Sequence, residues 1–78
     1  MIDTYLSSDN EAALRAFCAF FTNVIGPLPG RVATEDSDAA GDPDKFYACV
    51  RAPMAIGALE GIGVETPETG AAVVGVWA

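Results

Sequence analysis

Histidine is absent from the 78 residues. With it go the Ser-His-Asp and Cys-His arrangements, imidazole zinc ligation and the usual proton shuttle near neutral pH. Bases are scarce: 4 Lys and Arg stand against 11 Asp and Glu, for a net charge of −7. So acidic a chain has little with which to neutralise phosphates or settle on an anionic membrane, which argues against direct nucleic-acid binding and against membrane docking. No apolar run approaches the roughly 20 residues of a membrane-spanning helix. The opening Met1-Ile2-Asp3 lacks the basic segment and long apolar stretch of a secretory signal. There are 2 cysteines, Cys18 and Cys49. Both fall in apolar, periodic segments, where a thiol behaves as a small hydrophobe; a disulfide between them would need a close Cα approach. These absences predict a chain kept in a reducing cytoplasm or in a particle assembled there.

What is present describes one small domain spanning residues 1–78. The hydrophobic fraction, 51%, is well above that of a disordered chain. Much of it is alanine, so the large side chains available to a core are few. A domain of this size has a stability margin on the order of 5 kcal/mol, and packing into a larger assembly would relieve that shortage.

Residues 45–51 are the best strand. Phe46, Ala48 and Val50 alternate with Tyr47, Cys49 and Arg51, and a period of two sends successive side chains to opposite faces. Pro43 and Pro53 bound the run, since neither can donate to a ladder. Both faces carry apolar residues, which predicts an inner strand. Phe46, Ala48 and Val50 are expected to face a helix, and Tyr47 and Arg51 a wetter face open to partners.

Residues 2–6 alternate in the same way and predict a first strand, with Ile2, Thr4 and Leu6 on one side. Ser8 and Glu11 then stand at capping-box spacing and start a helix expected over 9–21. Leu14, Phe17, Cys18 and Phe21 draw its apolar stripe, which Phe20 widens. Val24 and Ile25 begin a short strand, and Pro27 and Pro29 assign that stretch to a sheet edge or a bulge. Residues 31–34 read as one arm of a hairpin, 53–60 as a short helix opened by Pro53, 64–66 as a brief strand, 67–70 as a turn and 71–77 as a closing strand. The fold class is therefore α+β: a small, mostly antiparallel sheet with one main helix packed on one face, in the order β-α-β-β-short α-β.

Between the hairpin arms lie Glu35, Asp36, Asp38, Asp42 and Asp44, an exposed acidic loop. Asp36, Asp38, Gly41 and Asp42 fall near positions one, three, six and seven of a calcium loop, but position five is Ala40 and position twelve Tyr47, where a bidentate glutamate is required. No metal or other cofactor is expected. The carboxylates have no apolar pocket to raise a pKa, and a domain this small seldom encloses a substrate-sized cleft, so no catalytic residue is assigned. Trp77, of a residue type enriched at contact sites, either caps the core or enters a partner.

The two ends of the chain, residues 1–6 followed by an alanine-rich helix, and Val50-Arg51, Pro53, Val64, Thr66, Pro67 and Val76-Trp77-Ala78, resemble the small proteins encoded among tail genes of bacteriophages and prophages. The resemblance implies a phage origin, with the chain in the virion or the host cytoplasm, and carries no functional residues with it. The expected function is that of a bacteriophage structural or tail-associated protein working through protein–protein contacts, as a repeated subunit or on other virion components. The alternative is an acidic inhibitor of a host defence nuclease, whose acids would stand in for nucleic-acid phosphates against a basic host protein. The candidate contact residues are Glu35, Asp36, Asp38, Asp42, Asp44, Tyr47, Arg51 and Trp77: the five acids would carry the inhibitor reading, whereas a virion part would use its terminal strands and the Trp77 end, by strand addition, and leave the acidic loop free.

Overall fold

Two seven-residue strands make the frame. In the computed structural model, which describes residues 1–35 and 38–75, β1 (Ile2–Ser8) and β3 (Phe46–Ala52) pair antiparallel over their whole length, from Ile2 opposite Ala52 to Ser8 opposite Phe46. β2 (Asn23–Pro29) flanks β3 and β4 (Gly63–Glu65) flanks β1, giving the antiparallel order β2-β3-β1-β4. The strand with two apolar faces is thus an inner one, as its alternation requires.

Each face of the β1–β3 pair takes a helix. Leu6, Ala48, Val50 and Ala52 meet Leu14 and Cys18 of α1 (Glu11–Cys18), with Phe17, Phe21, Val24 and Phe46 packed around them. On the reverse face Tyr5, Tyr47 and Cys49 meet Val74, Ala71 and Val73 of α2 (Pro67–Val74). Leu6, Leu14 and Val50 are fully buried, and burial of such side chains stabilises by about 1.5–3 kcal/mol each.

The α+β class, the antiparallel sheet and the main helix across one face stand as expected. The closing elements differ. Residues 71–74 of the expected final strand are helical and join the expected turn 67–70 in α2, while residues 76–77 lie outside the described residues; the helix signals lie just upstream: Thr66 caps the N-terminus by accepting the Thr69 N–H at 3.3 Å, and Pro67 occupies the first turn, where a missing N–H costs nothing. Residues 53–60 form no helix. The Ile56 N–H donates instead to Thr4 Oγ1 at 3.1 Å, and Leu59 and Ile62 close a tight bridge.

The start of α1 shifts by two residues. Asn10 is the cap and accepts the Ala13 N–H at 3.1 Å. Ser8, at the end of β1, is buried; its hydroxyl accepts the Asn10 N–H and donates to the Gly61 carbonyl at 2.7 Å. Because α1 ends at Cys18, Phe20 leaves the apolar stripe and is 84% exposed. The prolines of β2 do sit on an edge strand, and they coincide with a bulge: Ile25 opposes Cys49 and Leu28 opposes Tyr47, so Gly26 and Pro27 share the place opposite Ala48. Gly26 has φ +94°, and a Cβ there would stand 2.7 Å from the Tyr47 carbonyl oxygen, so only glycine fits.

Candidate functional site

β1 organises the polar interior as well as the core. Its three buried serine and threonine hydroxyls are all engaged. Thr4 receives Ile56, Ser8 bridges to Gly61, and Ser7 donates to Glu65 Oε2 at 2.6 Å. Tyr5, from the α2 face, donates to the Gly75 carbonyl at 3.3 Å, and burial pushes its hydroxyl pKa up.

The pairing of β1 is unequal on its two sides. β3 opposes all seven of its residues, whereas β4 opposes Tyr5, Leu6 and Ser7 alone. Beyond Glu65 the chain turns off into α2, so among the described residues 2–4 have a ladder partner on one side only. A groove of about 220 Å³ lies along that open half. Residues 2–5 line it from β1, Ala55 and Ile56 from the segment after β3, and Val64, Glu65 and Pro67 from the other side. Ile2 and Val64 are 45% and 47% exposed, and Met1 and Met54, both exposed, adjoin lining residues in the chain.

Side-chain parity divides the groove. Ile2 and Thr4 lie on the α1 side of the sheet with Val64, which opposes Leu6. Asp3 lies on the α2 side with Glu65, which opposes Tyr5. Arg51 opposes Asp3 and grips it with two hydrogen bonds, Nε to Oδ1 at 2.7 Å and Nη2 to Oδ2 at 3.0 Å. The guanidinium holds the Asp3 carboxyl below its ordinary pKa, and the carboxylate raises that of Arg51 in turn.

The residues singled out from sequence are dispersed. Glu35, Asp38, Asp42 and Asp44 are exposed in the hairpin between β2 and β3, while Asp36 and Trp77 lie outside the described residues. Asp42 is occupied locally: Oδ1 accepts the Asp44 N–H at 2.9 Å, its carbonyl accepts the Lys45 N–H at 3.0 Å, and its own N–H donates to the Tyr47 hydroxyl at 2.8 Å. That last bond pins the loop to β3. Tyr47 is 3% exposed rather than on a wet face, because α2 covers it. Arg51 is half-buried and committed to Asp3. Among the described residues no group of three or more Cys, Asp or Glu side chains could hold a metal ion, and no helix is long and apolar enough to cross a membrane.

The groove residues Ile2, Ile56, Val64 and Glu65 were not among those singled out. Their signal was the mismatch between a long first strand and the brief strand at 64–66, which cannot cover each other. No known protein family, curated protein or solved structure matches this chain.

Proposed function

We propose that this chain is a bacteriophage structural or tail-associated protein that acts through protein–protein contacts in the virion or its assembly, without catalysis of its own. The observation that carries the contact role is the half-covered edge of β1, with its groove and the exposed Ile2 and Val64 beside it. A sheet edge left open next to apolar surface is the kind of feature that pairs with another chain. The groove is smaller than the roughly 300 Å³ at which small-molecule sites begin, which favours a side chain over a substrate. The phage setting rests on the resemblance of the two ends of the chain to tail-gene products.

The test is to purify particles from infected cells on a density gradient and quantify the chain by mass spectrometry. Recovery at a fixed ratio to particle proteins is the expected result. Recovery only in the soluble fraction, bound to a host nuclease by a salt-sensitive contact, would replace this reading with the acidic inhibitor.

A further inference from the structure

We propose that the groove beside residues 2–4 receives an extended segment of another protein as an added strand, and that this segment alternates apolar and basic residues. The inference rests on the contact role proposed above and names the class of partner. The slot exists because β4 stops after three residues and Pro67 diverts the chain into α2, leaving β1 about 10 Å of edge unpaired on that side among the described residues. An incoming strand would continue the line of β4.

The two faces of that line differ in chemistry. On the α1 side an incoming side chain meets Ile2, Ile56 and Val64, a space suited to a small apolar residue. On the α2 side it meets Glu65, which accepts a hydrogen bond from Ser7 at Oε2. Asp3 on the same side already has Arg51. A lysine or arginine between two apolar residues matches this pattern, since alternate side chains of a strand face opposite ways. A second copy of the chain is a poor occupant. It would bring another −7 charge; of its 4 bases, Arg15, Arg31 and Arg51 are already engaged with Glu11, the Ala72 carbonyl and Asp3, and Lys45 leads into β3, an inner strand paired on both sides.

The probe is a blocked pentapeptide, threonine-valine-lysine-valine-threonine, titrated into the full ¹⁵N-labelled chain by NMR, with a second peptide carrying glutamate for lysine. The lysine peptide should saturate shifts at the amides of residues 2–5 and 64–65. Glu65→Gln retains an acceptor for Ser7 and should weaken it about two- to fivefold, as loss of a partly exposed ion pair does. The idea fails if those amides do not move, if shifts collect instead on the acidic hairpin, if both peptides bind equally, or if the groove amides respond to protein concentration alone, which would make a second copy the occupant. A chain found in particles that ignores the peptide loses this inference and keeps the contact role. A chain absent from particles that binds it loses the phage setting and keeps the groove.

Discussion

Asp3 and Arg51 illustrate how a residue can be surface-facing and still belong to the fold. They are directly opposed across the β1–β3 ladder, and the planar guanidinium meets both carboxylate oxygens, the geometry in which an arginine pair is strongest. Arg51 therefore serves the sheet before it can serve a partner. Because the folded chain holds Asp3 below its ordinary pKa, the stabilisation is present above the unfolded-state value and disappears as pH falls through the folded one. Urea unfolding of the native chain and of Asp3→Asn should thus differ near neutral pH, with the native chain the more stable, and should converge in acid once the pH has fallen through the folded-state value. A difference that persists unchanged into acid would show that something other than the charged pair separates them.

At the scale of elements, the two covering helices are unequal. α1 contributes Leu14, Phe17 and Cys18, and the ring of Phe21, just past its end, meets that of Phe17 edge-on at 5.3 Å. α2 contributes Val74, Ala71 and Val73, and its sequence includes Thr69, Gly70 and two β-branched valines, which are weak helix formers. It is held by fit: Gly70 lies so close to the Tyr5 ring that a Cβ would collide with it. Cys49, fully buried, lies beneath. In a Cys18→Ala background, labelling of Cys49 by a thiol reagent should proceed through lifting of α2 alone, at a rate insensitive to low urea. Gly70→Ala should accelerate it about five- to 160-fold, the equivalent of a ~1–3 kcal/mol overpacking penalty. Labelling that tracks global unfolding in both proteins would show that α2 does not open independently. The same inequality explains what could be read from sequence. β1, β3 and the stripe of α1 were legible because each carries a clear period, and the prolines of β2 announced an edge or a bulge, of which the fold has both. α2 was not, because Ala-Ala-Val-Val has no period and its valines favour a strand locally; the sheet's second apolar face, around Tyr5 and Cys49, decides for helix. The groove had only an indirect signal, the unequal lengths of the first strand and the brief one at 64–66, since it arises from where β4 stops and not from any motif.

For the whole molecule the dominant quantity is charge. The principal dimensions are 38 × 27 × 17 Å, so the charges of the described residues lie within a few tens of ångströms of one another. The net charge is −7, and the ion pairs Arg15–Glu11 and Arg51–Asp3 leave that excess untouched. Unscreened in water, two charges about 20 Å apart repel by roughly 0.2 kcal/mol, and seven uncompensated ones make about twenty such pairs, some 4 kcal/mol before allowing for what an unfolded chain retains. Against a stability on the order of 5–10 kcal/mol that is a large term, whereas exposed ion pairs contribute little. Repulsion should therefore win over pairing in the salt dependence. The urea midpoint should rise as sodium chloride goes from about 0.01 to 0.1 M, where the screening length falls from roughly 30 to 10 Å, and level off beyond. A midpoint that falls over that range would mean that local pairs, not the overall acid excess, govern the fold. A basic partner segment would act as salt does but at one place, so the native chain should gain more stability from the lysine peptide at 0.01 M salt than at 0.1 M, while the glutamate peptide should give no gain at either.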